Sequence, residues 1–302
     1  MKLLYRALAT VPLLSFSAYA LAIDITTTNS PSDLADKLFS NVAGGVTIMG
    51  SAYTGSDVAA GTYRNLSFAP LSYISSGILL TTGDAQIAKG PNDQDFAGID
   101  NGGGSETFVN YDGNGTNAVL NDVAKLSITF SSDSRQSLSF DFSFGSEEYF
   151  EWVNSDYNDT FLTFIDSNPV TLSRDLNNNP ITVNNQFFRV DNRPQGWGEF
   201  DVLGNYSHCN GTASGISELQ YDGFTPVLKT TFTVDPGVHT LTFVIGDAGD
   251  NIYDSGVFIS RALSSSGDDD GTGEDPAPEP SSFLGLGVAL WGFQRLRRRP
   301  TT

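Results

Sequence analysis

Apolar residues alternate with polar residues at a period of two in several stretches of this 302-residue chain. Residues 126–130 read Leu-Ser-Ile-Thr-Phe, residues 138–144 read Leu-Ser-Phe-Asp-Phe-Ser-Phe, and residues 241–245 read Leu-Thr-Phe-Val-Ile. Successive side chains of a β-strand point to opposite faces, so each such segment buries one face of a sheet. The pattern therefore predicts an all-β domain.

Local signals predict further strands and one helix. Strands are expected at residues 46–49, 72–80, 160–165, 187–190, 226–234 and 256–262. Short strands separated by turns rich in Gly, Asn and Asp are typical of a two-sheet antiparallel β-sandwich, here jelly-roll-like. One short helix is predicted after Ser30, with Pro31 at its first position and Asp33 completing a capping-box pattern. Residues 21–263 are predicted to form one domain.

The balance of charged residues restricts the partners of the chain. It carries 35 Asp and Glu against 16 Lys and Arg, a formal net charge of −19. A protein that follows nucleic-acid phosphates needs the opposite sign, so no nucleic acid is expected as a partner. Cys209 is the single cysteine, and the two histidines are too few for a His-rich transition-metal site. Any bound metal is therefore expected to be a hard ion with oxygen ligands.

The N-terminal end has the features of a signal peptide. Lys2 and Arg6 precede the apolar run 7–16, and Ala-Tyr-Ala at residues 18–20 matches a signal-peptidase site. Residues 1–20 are therefore predicted to be removed on export. An N-terminal membrane anchor is the alternative, but the apolar run is far shorter than the roughly 20 residues that span a bilayer.

The C-terminal end resembles a sorting signal. Residues 264–280 form an acidic linker rich in Gly, Ser and Pro. Its last motif, Pro278-Glu279-Pro280, precedes a short uncharged apolar segment and then a cluster of arginines, and residues 281–302 in this order resemble the PEP-CTERM signal. The resemblance implies exosortase-type sorting machinery as a partner, transient anchoring in the inner membrane, and a final place on the cell surface or in the extracellular matrix of a Gram-negative bacterium. The alternative is a disordered tail with an apolar patch.

Four segments of the central region carry a second resemblance. They are Ser-Gly-Ile-Leu-Leu-Thr-Thr-Gly-Asp at residues 76–84, Phe-Gly-Ser-Glu-Glu-Tyr at 144–149 with Asn158-Asp159 after it, Asp-Gly-Phe-Thr at 222–225, and Asp-Ala-Gly-Asp-Asn-Ile-Tyr-Asp-Ser-Gly-Val-Phe at 247–258. In this order they resemble the choice-of-anchor L family over residues 24–263. The resemblance implies a β-rich extracellular domain with a surface address rather than an activity. Phe150 departs from the family, in which proline is common at that position, and is expected to alter only a loop.

The acidic residues give little support to catalysis. Glu147 and Glu148 are adjacent at a predicted strand end, so their side chains are expected to point to opposite faces, which does not suit a two-carboxylate glycosidase. The chain also has no Gly-x-Ser-x-Gly nucleophile elbow. We therefore expect no enzyme and assign no catalytic residue. A secreted glycan-active hydrolase that pairs Glu148 with Asp159 or Asp222 is the alternative.

Aromatic residues near predicted loops favour a binding function. Flat aromatic faces beside carboxylates and amides can hold sugars by ring stacking and hydrogen bonds. Trp152 and Trp197 are the candidate ligand-binding residues, with core packing as the alternative for both. The other aromatic residues expected near the surface are Tyr149, Phe150, Tyr157, Tyr206 and Tyr221.

The segment after residue 245 predicts a calcium site. Asp247, Asp250, Asn251 and Asp254 place four oxygen-bearing side chains within eight residues. Calcium takes about six to eight oxygens from carboxylates and carbonyls of irregular loops. The alternative is a solvated acidic loop closed by local hydrogen bonds. The family resemblance brings further residues into the same candidate neighbourhood, namely Glu147, Glu148, Asn158, Asp159 and Asp222.

Together these features predict an exported, surface-anchored, non-catalytic β-sandwich that is stabilised by calcium. Its expected role is adhesion, biofilm or extracellular-matrix structure, or association with polysaccharide, and the expected partner is an extracellular polysaccharide or a matrix protein. Two alternatives remain open, the glycan-active hydrolase and a purely structural matrix subunit without a small ligand.

Overall fold

A computed structural model describes residues 22–265, with gaps at residues 41, 43, 68, 95, 176, 186–189, 194–197, 201–205, 209–217 and 261–262. The predicted signal peptide, nearly all of the predicted linker and the predicted C-terminal signal lie outside the described residues, as does Trp197. Within the described part, no helix is long and apolar enough to cross a membrane.

The described chain is mostly β-structure. The strands in chain order are β1 Asp24–Thr27, β2 Val46–Thr54, β3 Ala60–Arg64, β4 Gly77–Thr81, β5 Glu106–Phe108, β6 Ala118–Ser132, β7 Gln136–Ser146, β8 Thr160–Ile165, β9 Ile181–Thr182, β10 Val190–Asp191, β11 Gly198–Phe200, β12 Tyr206–His208, β13 Gly223–Phe224, β14 Leu228–Val234, β15 Gly237–Asp247, β16 Ser255–Ser260 and β17 Leu263–Ser265. Helix α1 spans Pro31–Phe39, and a 3-10 helix spans Ala69–Ile74.

Two antiparallel sheets form the sandwich, as the sequence predicts. The larger sheet has the order β1-β3-β4-β16-β7-β13-β10, and β14 and β17 also pair with β7. The smaller sheet has the order β2-β6-β15-β8-β9, and β5 pairs with β6. Strands β11 and β12 form a separate two-stranded ribbon.

The main core lies between the two sheets. Phe140 of the larger sheet meets Phe243 of the smaller one edge to face, with ring centroids 5.1 Å apart. The alternation of side chains decides which residues reach this core. On β16, Val257 belongs to the main core, whereas Phe258 packs in a second cluster with Tyr63. The larger sheet is covered on both faces at its centre, so every residue of β4 is buried, including Ile78, Leu79 and Leu80.

Helix α1 closes part of the main core. The Ser30 hydroxyl accepts a hydrogen bond from the backbone N–H of Asp33 at 3.4 Å, and Pro31 occupies the first turn. Its apolar face is buried in the main core. The helix predicted after Ser30 is therefore confirmed, and so is its Ser30 cap. The return half of the predicted capping box is wrong, because the backbone N–H of Ser30 donates to the Thr28 hydroxyl at 3.1 Å and not to Asp33.

Most predicted strands match the observed ones, and one is wrong in part. Strand β8 occupies the predicted residues 160–165. Of the predicted strand 72–80, residues 72–74 belong to the 3-10 helix Ala69–Ile74 instead, in which Leu71 and Ile74 reach the core at a spacing of three. Most of the predicted strand 187–190 lies outside the described residues.

Candidate metal centre

Four strand termini place five of the predicted acidic residues at one end of the sandwich. Glu147 and Glu148 follow β7, and Asp254 precedes β16, which pairs with β7 through Ser146 and Ser255. Asp247 ends β15, and Asp159 precedes β8, which pairs with β15 through Thr160 and Gly246. Antiparallel pairing brings the end of one strand next to the beginning of its neighbour. The larger sheet thus supplies two glutamates and one aspartate, and the smaller sheet supplies two aspartates.

A hydrogen bond between Ser255 and Asp159 joins the two sheets at this end. Asp159 accepts from the Ser255 hydroxyl at 2.7 Å through Oδ2, and from the backbone N–H of Ala248 at 2.9 Å through Oδ1. Gly83, two residues after β4, leaves room for the neighbouring acid, since a Cβ there would overlap the carboxylate of Asp254. The backbone therefore closes tightly around the carboxylates.

The acidic side chains at this end are almost completely buried. Asp247 is 1% exposed, and the other members are 0–3% exposed: Asp122, Glu147, Glu148, Asp159, Asp222 and Asp254. Among the described basic side chains, only Arg193 is buried, and it pairs with Asp191 at 3.1 Å. Burying a carboxylate is costly unless a proton, a base or a metal ion neutralises it. Ionised carboxylates at this end are therefore costly to bury, because the buried base, Arg193, pairs with Asp191.

The buried acids fall into two groups, one in which Glu147 lies near Asp222 and one in which Glu148 lies near Asp159 and Asp247. Burial, followed by the nearby Asp222 carboxylate, raises the pKa of Glu147 well above its ordinary value. Burial, followed by the nearby Asp159, raises the pKa of Glu148 to about 10. The adjacent glutamates therefore face different partners, as expected for successive residues at a strand end.

The group around Glu148 contains four carboxylate oxygens that are buried without hydrogen bonds among the described residues. Both carboxylate oxygens of Glu148 and both of Asp247 are buried without a hydrogen-bond partner among the described residues. Burial and the nearby Asp159 raise the pKa of Asp247 strongly, and Thr82 lies close enough to lower it but does not reach hydrogen-bond geometry. Burial also raises the pKa of Asp159 to about 7 and that of Asp254 to about 8.

The group around Glu147 contains amides that the sequence did not indicate. Asp222 accepts from Asn92 Nδ2 at 2.7 Å, and Asn92 is in turn bonded by Gln220 at 3.2 Å. Asn192 Oδ1 is buried without a hydrogen-bond partner among the described residues. Asn92 and Asn192 stand far from the acidic motifs in the sequence, so only the fold reveals them. The same is true of Asp122, whose carboxylate accepts from the backbone of Asn101 and Gly103.

Three predicted ligands occupy less central positions. Asp250 is half-buried and accepts from the backbone N–H of Ile252 at 3.4 Å. Asn158 turns away and accepts from the backbone N–H of Asn184 at 2.8 Å. Asn251 is half-buried, and in the described part no hydrogen bond joins its side chain to the acids. The fold therefore brings together six of the nine predicted residues as a buried set.

The acids do not converge tightly enough to form a carboxylate cage. Within the described residues, no group of three or more His, Cys, Asp and Glu side chains is arranged to hold one metal ion. An ion at this end would need backbone and amide oxygens besides carboxylates, which is a ligand set that calcium accepts and zinc does not favour.

The predicted surface aromatics separate into two kinds. The prediction that Tyr221 lies near the surface is wrong, because its side chain is fully buried. It packs against Phe224 and Phe258, and its hydroxyl lies in a hydrogen bond with that of Thr81 at 3.0 Å. Trp152 is half-buried and lines a cavity of about 620 Å³. The side chain of Tyr206 is not among the described ones.

A family model, the choice-of-anchor L domain, matches residues 23–264. The chain belongs to the choice-of-anchor L domain family. The match includes every residue of the acidic end, so this end is part of the family domain and not of an added segment. No curated protein matches the chain.

One similar solved structure is Arthrobacter globiformis T6 isomalto-dextranase complexed with panose. It is 12% identical to this choice-of-anchor L chain, with a TM-score of 0.23, and the match covers 70% of this chain and 23% of the other. A likeness of this strength carries no functional information.

Proposed function

We propose that this protein is an exported, surface-anchored, non-catalytic domain that binds calcium at its acidic end. The observation that carries the proposal is the set of four buried, unpartnered carboxylate oxygens on Glu148 and Asp247. With Asp159 and Asp254 close by, like charges add to the cost of burial. A divalent cation removes that cost for several carboxylates at once, whereas one proton neutralises only one.

Membership of the choice-of-anchor L family supports the surface address. The residues that would direct export and sorting, 1–20 and 281–302, are proposed to act as a signal peptide and a PEP-CTERM-type signal read by exosortase-type machinery. The role proposed for the anchored domain is adhesion, or a place in a polysaccharide-containing matrix. A purely structural matrix subunit would share the fold and the calcium but bind no glycan.

Burial argues against the glycan-active hydrolase. Glu148, Asp159 and Asp222 are each 0% exposed, and Asp222 lies near Glu147 rather than in the set around Glu148. A glycosidase needs both carboxylates in contact with the glycosidic bond. We therefore expect pure protein to release no reducing sugar from common polysaccharides, and turnover abolished by Glu148→Gln would contradict this expectation.

Calcium should raise the melting temperature of the wild-type protein relative to EGTA, because the ion binds only the folded state. The gain is about 2.7 kcal/mol when free calcium is about 100 times Kd. Asp247→Asn keeps the size of the side chain but removes a ligand charge, so it should lose most of the calcium-dependent gain. In EGTA the same variant should melt no lower than wild type, because it relieves a buried charge. Calorimetry measures both quantities.

Asp175→Asn is the matched control. Asp175 is also buried, but its carboxylate accepts from the backbone N–H groups of Asn177 and Asn179 at 2.8 Å each. This variant should therefore keep the full calcium gain. Equal melting temperatures of wild type in calcium and in EGTA, with no calcium found by elemental analysis, would refute the metal site.

A further inference from the structure

Four aromatic side chains form a continuous row beside the acidic end. Phe96 meets Tyr253 with ring centroids 6.3 Å apart, Tyr253 meets Trp152 at 6.3 Å, and Trp152 meets Tyr157 at 4.9 Å. We call these four residues the aromatic ledge. All four lie in connections between strands and not within strands.

The ledge is not part of the three hydrophobic clusters of the domain. Phe96 is 66% exposed, and Ile252, next to Tyr253, is 59% exposed. Trp152 and Tyr157 are half-buried. Large exposed apolar groups that lie together, unlike single ones, mark a binding surface. The ledge thus offers several ring faces or edges at the surface.

A polar cavity adjoins the ledge. It has a volume of about 620 Å³, within the range of small-molecule sites, and is lined by Trp152, Asn154, Ser155, Asp156, Tyr157 and Gly249. The lining offers amide and hydroxyl groups that both donate and accept, together with one carboxylate and two aromatic rings. Sugars present the matching chemistry, with apolar C–H faces and hydroxyls that donate and accept.

Charge determines which sugars fit. The cavity lining contains Asp156 and no Lys or Arg, Asp250 lies on the adjacent acidic loop, and the whole chain has a net charge of −19. Such a field repels an anionic polymer. We propose that the aromatic ledge and its cavity bind a segment of uncharged polysaccharide.

The acidic loop between β15 and β16 forms one wall of this site. Gly249 has a φ of +97°, and a Cβ at that position would lie 2.9 Å from Cδ1 of Tyr157. The loop backbone thus approaches the ring closely, which glycine permits. Asp247 and Asp254 lie at the two ends of the same loop, and the backbone N–H of Trp152 donates to the Glu148 carbonyl at 3.1 Å. This inference deepens the polysaccharide-associated role proposed above and rests on it.

Affinity electrophoresis tests the site with defined polymers. The full chain is run in gels that contain an uncharged α-glucan, β-glucan or mannan, and in gels with anionic polygalacturonate. We expect at least one uncharged polymer to retard the protein and polygalacturonate to have no effect. The retardation should persist in high salt, because the contacts are not ionic.

Three substitutions locate the binding surface. Trp152→Ala and Phe96→Ala should each weaken binding about tenfold, the effect of losing one stacked ring. Because Phe96 is exposed, Phe96→Ala should fold even if Trp152→Ala fails to fold. Phe164→Ala is the control. Phe164 lines a separate cavity of about 350 Å³, where it stacks on Phe108 at 6.0 Å, and the variant should bind like wild type.

The outcomes separate this inference from the calcium proposal. The proposal that the ledge binds polysaccharide would be overturned if no uncharged polymer retards the protein, or if wild type and Phe96→Ala bind equally well. Loss of binding only in Phe164→Ala would assign the glycan to the other cavity and overturn it as well. If the protein melts at the same temperature in calcium and in EGTA but still binds glycan, the calcium site is refuted and the glycan site at the ledge is retained.

Discussion

His239 shows how the neighbours of a residue set its role. Its Nδ1 lies 3.0 Å from Oδ2 of Asp166, and its Nε2 lies 2.8 Å from the carbonyl oxygen of Asp235. The ring also packs 5.8 Å from that of Phe130. The side chain is therefore held between two strands and a turn, as a structural histidine would be.

The hydrogen bond to Asp166 raises the pKa of His239 above its ordinary value. The stabilisation is therefore complete below the unfolded pKa of about 6.5 and is lost as the pH rises through the higher folded value. His239→Gln should lower the free energy of unfolding by about 0.2–1 kcal/mol near pH 5.5 and by less near pH 8.5, a small effect because the pair is partly screened.

Urea denaturation at the two pH values measures this difference. Arg135→Gln is the control, because it removes a charge from the exposed pair of Arg135 and Asp235, 3.6 Å apart, and leaves the bond of His239 to Asp166 in place. An equal loss for His239→Gln at both pH values would show that the proton on the ring does not contribute.

At the scale of elements, α1 depends on a few local residues. Ser30 caps its first turn, Pro31 fixes the backbone angle there, and Leu34 and Leu38 bury on one face. A helix of nine residues is too short to be stable alone, so packing on the core holds it in place.

Ser30→Ala should lower the free energy of unfolding by about 0.5–2 kcal/mol, because the N–H of Asp33 loses its acceptor. Ser30→Asn, which can also cap a helix, should retain most of the stability. Urea denaturation compares the two variants. If both lose the same amount, the side chain of residue 30 contributes in some way other than capping.

At the scale of the whole molecule, a family domain lies between two predicted targeting signals. The choice-of-anchor L match covers residues 23–264, which leaves the apolar N-terminal run and the arginine-rich C-terminal end outside it. The net charge of −19 suits an extracellular protein that stays soluble and repels anionic surfaces. We thus propose sorting and ligand binding for different parts of the chain.

Processing at the two ends should be visible in the mass of the native protein. The mature N-terminus is expected at Leu21 or Ile23, and replacement of Pro278-Glu279-Pro280 or of the terminal arginines should lead to mis-sorting. Intact-mass spectrometry and cell fractionation measure these effects. A surface form that retains both Met1 and Thr302 would contradict both end assignments.

The sequence by itself determined the elements whose signals are local. The cap at Ser30 and the strand at residues 160–165 depend on neighbours a few positions away, so the chain specifies them directly. The acidic loop was also visible, because its residues are close together in sequence. Motif order indicated the family over nearly the same range that the family model matches.

Only the tertiary structure decided how those parts meet. The burial of Tyr221, the amides of Asn92 and Asn192, and the division between Glu147 and Glu148 depend on strands that are distant in sequence. Pairing partners and sheet order are properties of the whole fold, and no local pattern encodes them. The same holds for the free energy needed to bury the ionised carboxylates of the acidic end. That energy depends on the water and charges around each carboxylate, and these are set by how the chain packs.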